Sequence, residues 1–122
     1  MRSAQTMPSE MDKIIAQELL HRYVQQPTVV SDEDILRAVQ EKCGPTEQKI
    51  FESRLLALSD LFRKVYDDLM KYRWEVNLPS GCLREEEGYQ SYEALLAKEF
   101  PSVERSALDH LLRMLYHYVV ER

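Results

Sequence analysis

TEQKIFESRLLALSDLFRKVYDDLMKYRWEV, residues 46–76, is the stretch on which the fold turns. Within it Phe51, Leu55, Leu58, Phe62, Val65, Leu69, Tyr72 and Val76 are spaced 4, 3, 4, 3, 4, 3 and 4 residues apart. Only an α-helix places such a heptad-type stripe on one face. Ile50, Leu61, Met70 and Trp74 widen it beyond the seam of a two-stranded zipper, so the helix reads as the spine of a bundle. Asp60 with Lys64, and Asp67 with Lys71, stand at i,i+4 in the favourable acid-first order and read as a solvated face with two ion pairs. No Pro or Gly lies between Thr46 and Val76, so nothing in the sequence kinks the helix. Unbroken, it would span roughly 46 Å at about 1.5 Å per residue. A compact chain of 122 residues is only about 35 Å across. The mismatch implies an elongated bundle, a second chain over the overhang, or both.

Upstream, Met11, Ile14, Ile15, Leu19 and Tyr23 recur at helical spacing behind Ser9, Glu10 and Asp12, which supply a cap and first-turn negative charge. This predicts a helix over 9–26, ended by Pro27. Ser31, followed by Asp32, Glu33 and Asp34, opens a short second helix carrying Ile35, Leu36, Ala38 and Val39, and Gly44 then Pro45 stop it. Thr46 is the expected cap of the spine. Downstream, Asn77, Pro79, Ser80, Gly81, Gly88 and the run from Glu85 to Glu87 mark the main loop. Because Trp74, Val76 and Leu78 alternate, a short hairpin over 73–84 is the alternative. Ser91 is the expected cap of a fourth helix with Tyr92, Leu95, Leu96 and Phe100, closed by Pro101. Ser102, Glu104, Leu108, Leu111, Leu112, Leu115, Tyr118 and Val119 make a fifth, reaching almost to Arg122. The fold class is therefore all-α, a bundle of about five helices with a long central helix. Residues 1–8 are a flexible lead and 9–122 a single helical domain.

Composition agrees. The length suits one domain, and an apolar share of 44% suits a folded chain. With 3 Gly and 5 Pro, the chain has too few turn formers for an all-β design. The net charge of -5 disfavours attraction to nucleic acid or anionic lipid. No segment approaches the roughly 20 apolar residues that span a bilayer, and the first residues lack a signal-peptide core. Cys43 and Cys82, without further thiols, suit a reduced compartment, so the expected location is intracellular, cytoplasmic or nuclear.

No catalytic, cofactor or metal signature emerges. No glycines lie closer than Gly81 and Gly88, so there is no phosphate loop. His110 and His117, seven residues apart, are separated by about 10 Å of helical rise, too far to ligate one metal. Cys43 at a helix C-terminus has its thiol pKa raised by the dipole, which opposes nucleophilic use. Asp67 and Asp68 point about 100° apart, and Glu85 to Glu87 lack the spacing of a calcium loop. The second helix, the Gly44-Pro45 turn and the start of the spine trace a helix-turn-helix outline, but Glu47 and Glu52 would face the phosphates, so direct nucleic-acid binding is disfavoured.

What remains is surface suited to proteins. The chain has 7 Tyr and 1 Trp, side chains that combine apolar area with a polar handle. The candidate partner-binding residues are Tyr72, Trp74, Tyr89 and Tyr92, with Trp74 and Tyr89 the better placed and Tyr72 more readily read as core. The expectation is a non-catalytic interaction module, an adaptor or a small subunit of a larger assembly, that offers an apolar helical face or groove to protein partners, a second copy among them. An acidic chain with an apolar spine points to a basic or amphipathic partner segment. Two rivals are a factor acting on nucleic acid through a partner, using Arg63, Lys64, Lys71 and Arg73, and a small enzyme built around His110 or Cys82.

Overall fold

The heptad stripe is the floor of the core. In the computed structural model, which describes residues 8–24, 30–74 and 78–121, its members from Phe51 to Tyr72 are all buried; Val76 lies outside the described residues. Leu61 joins them inside, whereas Ile50 and Trp74 of the widened face point outward. Five helices carry the described chain: α1 Pro8–Val24, α2 Asp32–Cys43, α3 Gln48–Trp74, α4 Glu86–Glu99 and α5 Arg105–Val119. Together they form the expected all-α bundle with a long central helix.

α1, α3 and α5 pack on one another, α2 packs on α1, and α4 packs on α5. Their cross-links give the directions. Asp12 on α1 meets Arg54 on α3, and eleven residues further along α1 Tyr23 stacks on Phe62 at 4.9 Å. Ser102, just before α5, meets the same Arg54, and Tyr116 near the end of α5 lies 6.5 Å from Tyr72. So α1 and α5 both run parallel to α3, while α2 and α4 return on the outside. The 27 residues of α3 span about 40 Å, against about 25 Å for the 17 of α1 and about 22 Å for the 15 of α5, and the contacts from Arg54 to Tyr72 place the two along its length. The stripe from Phe51 to Tyr72 is thereby covered from within the chain.

α2 begins as its sequence dictates. The Ser31 hydroxyl accepts from the Asp34 amide at 3.1 Å and the Asp34 carboxylate accepts from the Ser31 amide at 3.0 Å, a reciprocal capping box. That bond to the Ser31 amide holds the Asp34 carboxyl below the ordinary carboxylate range. Gly44, at φ 85, takes the positive-φ position that ends the helix.

Other boundaries differ. α1 starts at Pro8, where a missing N–H costs nothing, so Ser9 lies within the helix; its expected end at Gln26 and Pro27 falls outside the described residues. Thr46 is not the cap of α3: its hydroxyl turns back and donates to the Gly44 carbonyl at 3.0 Å, while the Glu47 carbonyl accepts the first helical bond from Phe51. The alternative hairpin reduces, among the described residues, to one bridge between Leu78 and Gly81 around a Pro79-Ser80 turn. On the solvated face Lys64 pairs with Asp68, at 3.2 Å, and not with Asp60. No described helix is long and apolar enough to cross a membrane.

The largest shift is at α4, which starts at Glu86, with Ser91 inside it. Glu86 and Glu87 are first-turn acids at the positive end of the helix dipole. Gly88 is a close-approach residue: a Cβ there would stand 2.1 Å from the Cys82 carbonyl oxygen and 2.7 Å from its carbon. Since both obstacles are backbone, the segment from Leu78 to Glu85 would have to move. Gly88→Ala is expected to destabilise the protein by about 1 to 3 kcal/mol in urea unfolding, despite alanine's better helix propensity. A variant as stable as the parent would mean that α4 and this segment do not touch as described.

One polar pair lies inside the fold. Asp12 has no exposed side-chain surface, and Arg54 grips it with a fork, Nε to Oδ1 at 2.9 Å and Nη2 to Oδ2 at 2.6 Å. The same Nη2 donates to the Ser102 carbonyl at 3.0 Å. Three segments are thus tied at one guanidinium, which suits the planar donor geometry of arginine.

Candidate partner-docking groove

Helix α4 carries Leu95 and Leu96 side by side, and adjacent helical residues point about 100° apart. One leucine can therefore face the core only if the other leans outward. Leu96 is buried and Leu95 is 54% exposed. Leu95 flanks a groove of about 570 Å³ between α4 and the second half of α3. Its floor is Leu78, Tyr92 and Leu96, and the Pro79-Ser80 turn lines it too. Lys64 and Lys71 line it from α3 and Glu99 from α4.

A hydrogen bond fixes the two walls. The Tyr92 hydroxyl donates to Asp68 Oδ2 at 2.8 Å, and Lys64 approaches the same oxygen at 3.2 Å. Burial and the anionic acceptor together push the Tyr92 hydroxyl far above its ordinary range, so it stays a donor at any working pH. Asp68 is thereby neutralised within the chain. Lys71, with Arg63 and Arg73 on the same half of α3, makes no ion pair with another described residue. At the groove itself α3 therefore presents Lys71 and the Lys64-Asp68 pair and α4 presents Glu99, while the exposed Asp60 and Asp67 lie among the basic side chains further round α3.

The four expected partner residues fall in different places. Trp74, the sole tryptophan, is 79% exposed, one turn beyond Lys71, with the Arg73 guanidinium 5.9 Å from its ring. Tyr89 is half-buried, edge-on to Tyr116 at 6.2 Å and beneath Arg113 at 5.6 Å. Tyr72 and Tyr92 are core residues: Tyr72 lies against Tyr116 of α5, and Tyr92, bonded to Asp68 of α3, reaches the groove only as part of its floor. Sequence reasoning missed Leu95, and also Leu56 and Ile50, which are exposed on α3. The Leu95-Leu96 pair was a signal that one of two leucines must face out.

Cys82 and His110, the residues of the enzyme rival, have different neighbours. The Cys82 thiol sits 3.5 Å from the Tyr72 hydroxyl; that contact, with the backbone amide of Arg84, lowers the thiol pKa. Burial first, and then Cys82, push the Tyr72 hydroxyl up to about 12, so it cannot act as a base near neutrality. His110 and His117 line a shallow surface cleft with Lys13, Asp109 and Arg113. No disulfide joins Cys43 and Cys82, and no group of three or more His, Cys, Asp or Glu among the described residues could hold a metal ion. Comparison with protein-family models, with curated proteins and with solved structures finds no match.

Proposed function

We propose that this chain is a non-catalytic interaction module, an adaptor or a small subunit of a larger assembly, and that it docks a partner's amphipathic segment in the groove between α3 and α4. The observation that carries the proposal is Leu95, 54% exposed beside a groove with an apolar floor, in a chain whose heptad stripe is already filled by its own helices. An apolar anchor from the partner would cover Leu95 and lie over Leu78 and Leu96, in the helix-in-groove manner. Trp74 supplies a second apolar contact beyond the groove, of the type that dominates interface energies. The charges set the partner's chemistry. Lys71 favours an acidic residue on the α3 side of the groove, and Glu99 favours a basic residue on the α4 side. The acidic net charge favours a basic or amphipathic segment overall, and Lys71 would hold an acidic residue of that segment at the α3 side of the groove.

The test places a photo-crosslinking residue at Leu95, and for comparison at Ser53, which is exposed on α3 away from the groove. Irradiation in the native cell is expected to give one discrete adduct from position 95 and none from position 53, with the yield lowered by Lys71→Glu. An adduct of twice the 14.4 kDa chain mass would identify the occupant as a second copy. Equal adducts from both positions, or an adduct from position 53 alone, would place docking elsewhere.

A further inference from the structure

On α4's contact with α5, the packing sets acid against acid. Glu93 is half-buried, its Oε2 atom is enclosed with no hydrogen-bond partner, and its carboxyl lies within hydrogen-bonding reach of Asp109 on α5. Asp109 already accepts from Arg113 Nε, on its own helix, at 2.9 Å. Tyr89, one turn before Glu93, has an enclosed hydroxyl that is likewise without a partner. Both residues line a pocket of about 360 Å³, bounded also by Leu83, Arg84, Glu85, Glu86, Asp109 and Arg113. Ionised carboxylates only accept hydrogen bonds. The donor missing from the Glu93 contact is therefore a proton.

We propose that a proton held between Glu93 and Asp109 seats α4 on α5, and that this seat loosens as the proton leaves. The charges around Glu93 support the direction. Burial is the main influence and raises its pKa, the facing Asp109 raises it further by hydrogen bond and by charge, and Arg105 and Arg113 oppose them less strongly. Arg84 and Glu85, just before α4, and Glu86, its first residue, also line the pocket, so this end of the helix brings both signs of charge. A carboxyl whose folded-state pKa exceeds its unfolded value destabilises the fold once ionised. The seat is thus firmest in acid and weakens as pH rises from the ordinary glutamate value, 4.5, through the folded-state midpoint. Among the helices α4 packs mainly on α5, its bond from Tyr92 to Asp68 on α3 apart, and local openings of one helix fall below global unfolding in free energy. The same proton would set one wall of the groove, a consequence that rests on the docking proposal; the seating of α4 does not.

The experiment follows the Glu93 side-chain carboxyl by carbon NMR in the full chain, together with amide protection factors of α4 relative to α3, between about pH 4 and pH 8. The expected result is a Glu93 midpoint above 4.5. Relative protection of α4 should fall through that midpoint, by up to about tenfold for each unit of elevation. Glu93→Gln supplies a permanent amide donor to Asp109, and its protection is expected to be independent of pH. A midpoint at or below the ordinary value, or a Glu93→Gln profile that keeps the parent's pH dependence, overturns the proposal. Should that variant fail to fold, Asp109→Asn removes the facing charge and must flatten the profile in its place, and a profile that stays sloped is equally fatal.

Discussion

An Arg54→Met variant is expected to lose about 3 to 5 kcal/mol of unfolding free energy at neutral pH, because it leaves the enclosed Asp12 carboxylate without its counter-charge. Asp12 has no exposed side-chain surface, and the Arg54 side chain is itself only 16% exposed. Burial dominates the environment of Asp12 strongly enough that its carboxyl titrates above the ordinary range even with the guanidinium in place. Without Arg54 that elevation grows. The sign of the pH dependence follows: a carboxyl with a raised folded-state pKa costs stability only where it is ionised. The deficit of Arg54→Met should therefore be largest near neutrality and shrink as pH falls towards the unfolded-state pKa of Asp12. Pairing it with Asp12→Leu removes the orphaned charge and should recover most of the loss, since an apolar replacement of a buried ion pair is often neutral. Chemical unfolding of the parent, the single variant and the double variant at two pH values decides the matter. A double variant as weak as the single one would mean that the lost Arg54 bond to the Ser102 carbonyl, and not the charge, carries the effect.

That pair also marks the limit of what the sequence discloses. The α3 stripe is legible because 3.6-residue periodicity is local and α3 holds it over 27 residues. The start of α2 is legible because Ser31 and Asp34 satisfy each other across a single turn. Asp12 and Arg54 stand 42 positions apart, and only the parallel alignment of α1 with α3 makes them partners; in the sequence Asp12 passes for a first-turn acid. The start of α4 is hidden for the same kind of reason. Gly88 resembles loop punctuation until the Cys82 carbonyl is seen against it, and Glu85 to Glu87 resemble a solvated run until they are found at a helix start. At the groove, Trp74 could be picked out because it ends a helix. Tyr72 and Tyr92 carry the same aromatic signal yet are buried, because burial depends on which helix closes over them.

Leu58→Asp is expected to unfold the protein outright, whereas Leu56→Asp, two residues away, is expected to change stability by no more than about 0.5 kcal/mol. Leu58 lies at the centre of the stripe and has no exposed surface, while Leu56 is 66% exposed on the outer side of the same helix. Truncating a buried leucine costs about 2 to 5 kcal/mol in transfer and cavity terms. Placing a carboxylate in the vacated space adds several more, because Leu58 lies fully buried within the apolar core cluster. Against a typical total stability of about 5 to 15 kcal/mol, the sum leaves little or no folded population. Loss of helical circular dichroism in Leu58→Asp, with a parent-like urea midpoint in Leu56→Asp, is the expected pair of results. The comparison also separates folding from docking. Because the stripe is covered by α1 and α5 and not by a second chain, Leu58→Asp should fail at every protein concentration, with no recovery on raising it. Recovery at high concentration would show that another copy covers the stripe, and the reverse order of the two variants would turn α3 to its opposite face.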